Sequence, residues 1–128
     1  MTTITHVNPD GMHTNPAFSQ AVLVEGGRTL YIGEQNGVDE SGAIVPGGTG
    51  PQTAAAYAQI KTILASVGAD QTNVVRLVIY LDPEASLEEG FAASGEAWGN
   101  HPTAITVVHV AKLGRPGALV GIEAVAVV

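Results

Sequence analysis

The stretch PQTAAAYAQIKTILASVGADQTNVVRLVIYLD, residues 51–82, decides the fold class. In its first half Tyr57, Ile60, Leu64 and Val67 recur at helical spacing, so one stripe of a helix packs on an apolar partner. Thr49 and Gln52 have capping-box spacing, Pro51 sits in the first turn, and Gly68 closes the end. The second half, NVVRLVIYLD, is apolar and β-branched at both parities, the pattern of a central strand covered on two sides.

Upstream, AVLVEGGRTLYIGEQ (residues 21–35) places apolar runs on either side of a Gly-Gly turn and reads as a β-hairpin. VDESGAIVPGG (38–48) is loop-like, with a short strand possible at AIV. Downstream, Ser86 and Glu89 form a second capping box, opening a helix with Leu87, Phe91 and Trp98 on one face. Gly90 and Gly95 inside it each cost about 1 kcal/mol relative to Ala, which close approach to the sheet would explain. AITVVHVAKL (104–113) and ALVGIEAVAVV (118–128) read as two long strands joined by the turn-rich GRPG. The order ββ(β)αβαββ gives an α+β sandwich: one mixed β-sheet with two helices packed on one face.

Composition narrows the function. The 128 residues suit a single domain spanning 1–128, and 45% hydrophobic against 13% charged residues leaves little polar surface, so an oligomer that hides sheet surface is expected. A net charge of −7 repels a phosphate backbone, which argues against nucleic acid as a partner. The beginning MTTITHVNPDG has neither a basic start nor an apolar core, and no run is long enough for a membrane span, so a soluble cytoplasmic protein with no membrane partner is expected. Without cysteine there are no thiol nucleophiles, and His6, His13, His101 and His109 lack metal-ligand spacing, so no metal is expected. The Gly-rich PGGTGPQT lacks the Lys-Ser/Thr ending of a phosphate loop and serves as the entry to the first helix.

Five segments, NPAFSQAV (15–22), GEQNGVDESGAIV (33–45), PQTAAAYAQIKTILASVGA (51–69), NVVRLVIYL (73–81) and GIEAVAVV (121–128), stand in the order and spacing of the Rid proteins, the reactive-intermediate deaminases or YjgF/YER057c/UK114 family. The chain resembles that family over nearly its whole length. The resemblance implies a chorismate-mutase-like fold and a homotrimer with ligand-binding clefts between subunits. It also implies cofactor-free hydrolysis of 2-aminoacrylate and related enamines or imines to keto acids and ammonia. In the deaminases an arginine of a Pro-x-Arg segment clamps the substrate carboxylate, and a glutamate on the last strand positions the attacking water.

Residue by residue, the match breaks at the site. The Pro-x-Arg segment corresponds to HPTAIT (101–106), where the arginine's place falls on Ala104 or Ile105. Neither can hold a carboxylate as a guanidinium does. Phe18 stands for the family's tyrosine, Gly33, Glu34 and Gln35 for its Ser-Gly-Gln, and Ala92 for its helix asparagine. The family's Glu-Ile-Glu becomes Gly121, Ile122 and Glu123, so the water-positioning glutamate maps to Gly121.

Three side chains could still perform acid/base work. His109 has the strand parity of Ile105 and could enter the cleft as a general acid or base, or could be a hydrogen-bonded interface histidine. Glu123 must be paired, protonated or near water in its apolar strand. Glu34, with space beside it at Gly33, could be a base or a solvent-facing strand end. Phe18, Gly33, Gln35, Asn36, Ala104, Ile105 and Gly121 are the expected ligand contacts. The expected function is therefore a small-molecule pocket at an intersubunit cleft, hydrolysing or tautomerising a neutral metabolite rather than deaminating 2-aminoacrylate. The alternatives are an enamine/imine deaminase with a different clamp and a non-enzymatic ligand-binding or chaperone-like module.

Overall fold

The computed structural model describes residues 1–128. Three strands, β1 (Thr3–Val7), β2 (Ala21–Glu25) and β3 (Thr29–Asn36), precede helix α1 (Thr49–Ser66); β4 (Val74–Leu81), helix α2 (Leu87–Ala97), β5 (Ala104–His109) and β6 (Val120–Val127) follow. Strands β3-β6-β4-β5 form a mixed sheet in which only the β4–β5 pair is parallel. The expected α+β architecture, two helices with a mixed sheet, is present.

One end of the sheet differs from expectation. Gly26 and Gly27 both have positive φ and form the expected turn, yet β2 pairs with β1 in a separate two-stranded ribbon while β3 pairs with β6. The strand missed in the sequence is β1: its alternation is broken by His6, which lies on the ribbon with Nδ1 2.8 Å from Ser19 Oγ. The AIV segment is reduced to a single bridge between Val38 and Ile44. Likewise β5 and β6 are not neighbours, because β6 inserts between β3 and β4.

Residues directly opposite across a ladder share a face. Leu77, Ile79 and Leu81 of β4 therefore face the helices with Ile105 and Val107 of β5 and Ile122, Ala124 and Ala126 of β6. Ala56, Tyr57, Ile60 and Leu64 of α1 close this core, whereas Val67 at the end of the predicted stripe is 42% exposed. The opposite face carries Arg76, Val78 and Tyr80, with Ala104, Thr106 and Val108 on one side and Gly121, Glu123 and Val125 on the other. Within a single chain β4 therefore buries its helix-facing side, while Val78 and Tyr80 on the other are half-buried.

Local chemistry explains the helix ends. At the end of α1, Gly68 has φ +74°, its N–H donates to Ala65 O, and the Ala69 N–H donates to Leu64 O, a Schellman closure. At its start Gly48 occupies the cap position and donates no side chain. Thr49 and Gln52 serve tertiary links instead: Thr49 Oγ1 accepts from Ser86 N (2.9 Å), and Gln52 Oε1 accepts from Leu119 N (2.8 Å). Ser86 caps α2 as expected, accepting from Glu89 N at 3.1 Å. The α2 glycines do not approach the sheet: a Cβ on Gly90 would meet Thr49 and Thr53 of α1, and one on Gly95 would meet nothing. Helix α2 lies beside α1, so Leu87 and Phe91 stay exposed and only Trp98 reaches the core.

Candidate functional site

The expected site residues fall in two places on opposite faces of the sheet. The first is a cavity of about 530 Å³ between α2, the outer strand β5 and the loop before β2. Phe18 and Ile105 line it, with Tyr57, Phe91, Trp98 and Val107. Ile105 opposes Leu77 on the helix side and lines the cavity, whereas Ala104 opposes Arg76 on the uncovered face.

No Lys, Arg, Asp or Glu lines this cavity, and its titratable groups are Tyr57 and His101. Tyr57 is stacked on Trp98, with centroids 4.9 Å apart and planes at 28°. Burial pushes the Tyr57 phenol pKa up, partly opposed by the Ser94 hydroxyl. His101 Nε2 lies 3.0 Å from Val74 O, which fixes the proton there and leaves Nδ1 as the acceptor of the neutral ring. Trp98 is 4% exposed, and its indole Nε1 is buried with no acceptor. The Phe18 loop is tied to the segment before β5: Ser19 N donates to Thr103 O (2.9 Å) and Ser19 Oγ donates to Pro102 O.

The second place is polar and lies on the uncovered face. Between Ile32 and Gln35 two residues of β3, Gly33 and Glu34, stand against the single Glu123 of β6. This β-bulge re-aims the Glu34 side chain. A Cβ built on Gly121 would lie 2.1 Å from Glu34 Oε2 and 2.6 Å from its Cδ, so the Glu34 carboxylate fills the space over Gly121. Asn36 Nδ2 donates to Glu34 Oε2 at 2.9 Å and to Val120 O at 3.1 Å. The Tyr80 hydroxyl donates to Glu123 Oε1. That hydrogen bond pushes the Tyr80 pKa up, with desolvation and the negative charge of Glu123 and Glu34 adding to it and Arg76 opposing. Arg115 lies on the rim of a groove with Glu34 and Asn36, its Nη1 donating to Gly42 O at 3.1 Å.

Gln35 turns back on the strand, Nε2 donating to Gly33 O at 3.1 Å. His109 has the parity of Ile105 but ends β5 exposed and outside the cavity. Ala92 is exposed on α2, also outside it. The sequence reading did not select Tyr57, Ser94, Trp98 or His101 as site residues. The available signal was the segment FAASGEAW (91–98), whose small residues between two aromatics one helical face apart leave room for a cavity.

No helix is long and apolar enough to cross a membrane, and no group of His, Cys, Asp and Glu side chains could hold a metal ion. The chain is 38% identical over 117 residues to a rat protein named 2-iminobutanoate/2-iminopropanoate deaminase, covering 87% of this chain and 80% of the relative. A bovine protein of the same name is 46% identical over 65 residues, half of this chain and 46% of that one. Among solved structures, a Rid-family protein of unknown function from Yersinia pestis superposes with TM-score 0.85 at 30% identity, covering 98% of both chains. A Mycobacterium tuberculosis member of the YjgF/YER057c/UK114 family gives 0.67 at 28%, covering 98% of this chain and all of that one. The family model described as endoribonuclease L-PSP matches residues 10–128, and with these relatives it places the chain in the Rid, or YjgF/YER057c/UK114, family.

Proposed function

We propose that this chain forms a small-molecule site between subunits that binds a neutral metabolite and hydrolyses or tautomerises it, with Glu34 as the base. The observation that carries this reading is the cavity's lining: aromatic and aliphatic walls that include Ile105, and no cationic side chain. A charged carboxylate entering that cavity would lose its hydration without gaining a partner. A neutral ligand would not.

The base is argued from position. The carboxylate expected at residue 121 is absent, and the Glu34 carboxylate occupies the adjoining space, held by Asn36. A carboxylate there can orient a water for attack on a C=N or C=C–N carbon and accept its proton, or remove a proton next to a carbonyl. Hydrolysis of an imine then consumes one water and yields a carbonyl compound and an amine.

The aromatic cavity and the Glu34 group lie on opposite faces of one sheet, too separate to act on one molecule within a single chain. A homotrimer, as the family resemblance implies, would bring the Glu34 face of one subunit against the cavity of the next. Two observations support such packing: Tyr31 is 79% exposed, and Val78, Val108 and Val125 stand on a sheet face that nothing in the chain covers. The same negative net charge that argues against RNA as ligand argues against ribonuclease activity, despite the wording of the family description.

The test is hydrolysis of the imine of benzaldehyde and methylamine, which carries no carboxylate, by wild type, Glu34→Gln, His109→Ala and Glu123→Gln. Acceleration that falls about 100-fold or more in Glu34→Gln supports the assignment. Acceleration that is unchanged in Glu34→Gln refutes it, and a loss confined to His109→Ala or Glu123→Gln moves the base to that residue. A second reading, imine deamination with another clamp, is favoured by the naming of the rat and bovine relatives; it requires turnover of 2-aminoacrylate by the wild type. Saturable binding with no turnover of either compound would favour a binding module.

A further inference from the structure

Two titratable side chains line the aromatic cavity, and burial pushes the phenol of one, Tyr57, upward. The other, His101, is the residue type whose charge changes near neutral pH. Its ring is fixed at one nitrogen. Nε2 lies 3.0 Å from Val74 O, and a carbonyl only accepts, so Nε2 carries a proton in the neutral and the charged ring alike. The Thr103 hydroxyl also donates to Val74 O at 3.0 Å, and the His6 ring stands edge-on to His101 with centroids 5.5 Å apart. Nδ1 remains. It makes no hydrogen bond within the chain and, unlike Trp98 Nε1, it is not sealed from solvent. In the neutral ring it is an open acceptor on a half-buried residue of the cavity wall.

Resting on the reading of that cavity as a neutral-ligand site, we infer that His101 Nδ1 selects ligands that bring a hydrogen-bond donor: the enol, phenol or N–H enamine form of a flat neutral molecule, in preference to a form that offers only acceptors. The walls favour a planar π-system, since Phe18, Tyr57, Phe91 and Trp98 offer ring faces and edges. The selection reverses with protonation. Because Nε2–H stays on Val74 O, a second proton need move nothing; it turns Nδ1 from an acceptor into a charged donor and gives the cavity its one cation. A donor ligand then meets a donor, and a carboxylate gains the partner that the neutral cavity withholds. Two further titratable groups face the ring, His6 of β1 and Asp70 between α1 and β4. The Thr72 hydroxyl chiefly holds the Asp70 carboxyl below its ordinary value, and the charge of His101 adds to this.

Three probes of similar shape separate the terms: p-cresol (donor), p-methylanisole (the same ring without the donor) and p-toluate (charged). At about pH 8, above the ordinary range of an imidazole and below that of a phenol, calorimetric titration is expected to show p-cresol binding about fivefold more tightly than p-methylanisole, with p-toluate weakest. Saturation with p-cresol should also shift the nitrogen resonance of His101 Nδ1. At about pH 5.5 the advantage of p-cresol should shrink and p-toluate should gain. In His101→Phe, where Thr103 keeps a donor on Val74 O, the preference and its pH dependence should both vanish, whereas His6→Gln should keep them. Equal binding of the two neutral probes at about pH 8, a preference that survives in His101→Phe, or a stationary Nδ1 resonance would overturn the inference while leaving the neutral cavity intact. A pH dependence lost in His6→Gln and kept in His101→Phe would also overturn it. Binding of none of the probes, or tightest binding of p-toluate at about pH 8, would bring down the neutral-site reading itself.

Discussion

Replacing Gly121 by alanine should disturb the proposed base while sparing the fold. The new Cβ would lie 2.1 Å from Glu34 Oε2, against ordinary contact of 3.4–4 Å, so the carboxylate must retreat by about 1 Å or more. It can do so, because the clash is with the end of an exposed flexible side chain and Gly121 has no positive φ. The retreat breaks the 2.9 Å hydrogen bond from Asn36, worth about 0.5–1.5 kcal/mol, while Asn36 keeps its bond to Val120 O. Against that loss, removing a glycine lowers the unfolded chain's entropy and contributes about 0.4–1 kcal/mol. Net stability should change by less than about 1 kcal/mol, a shift in Tm of about 4 °C or less. Displacement of a catalytic group by 1 Å costs on the order of 100-fold in turnover. Calorimetry with the imine-hydrolysis assay reads both quantities. The Asn36 side-chain amide resonance should shift in the variant as its bond to Glu34 breaks. A Tm loss of about 12 °C or more would mean that position 121 is closed by groups that cannot move, and an Asn36 amide resonance unmoved by the substitution would mean that Glu34 does not stand over Gly121.

Gln52→Leu should cost about 1–3 kcal/mol in urea denaturation, because the buried side chain that accepts from Leu119 N and donates to Gly117 O is lost and both backbone groups lose their partner. Gly37→Ala should be at least as damaging, since its Cβ would lie 2.3 Å from Gln52 Cα and 2.5 Å from Gln52 O, backbone that cannot step aside; no loss of stability would contradict this packing. Tyr80 has a folded pKa raised above the unfolded value, chiefly by the Glu123 hydrogen bond, so its contribution is present below about pH 10 and is lost as pH rises through the folded pKa. Tyr80→Phe should therefore lose less stability than wild type between about pH 8 and about pH 10.5, and an equal loss would count against the Tyr80–Glu123 pair.

The regular elements were legible because periodicity and caps report local physics. Tyr57, Ile60 and Leu64 are buried where the helical stripe puts them, and Ser86 and Gly68 act as cap and stop. What tertiary partners decide was not legible. Thr49 and Gln52 have the right spacing for a capping box but are taken by Ser86 and Leu119, and the strands flanking Gly26-Gly27 pair elsewhere. At the site, Phe18 and Ile105 meet in one cavity, while Glu34, Asn36, Gly121 and Glu123 gather on the other face. Spacing along the chain does not carry that division, because it depends on strand register and on the bulge at Gly33-Glu34. The glycine inside β3 was the visible sign of the bulge; its effect on the aim of Glu34 needed the partner strand.

The central claim is that Ile105, lining an uncharged cavity, makes this family member blind to carboxylate-bearing imines. Release of ammonia and keto acid from freshly generated 2-aminoacrylate tests it, with wild type, an Ile105→Arg variant and the rat relative named as a deaminase measured side by side. The account predicts that the wild type does not exceed the spontaneous rate while the rat protein does, and that Ile105→Arg gains binding of the carboxylate. Acceleration by the wild type comparable to the rat protein's would contradict it, and some other group would then have to hold the carboxylate.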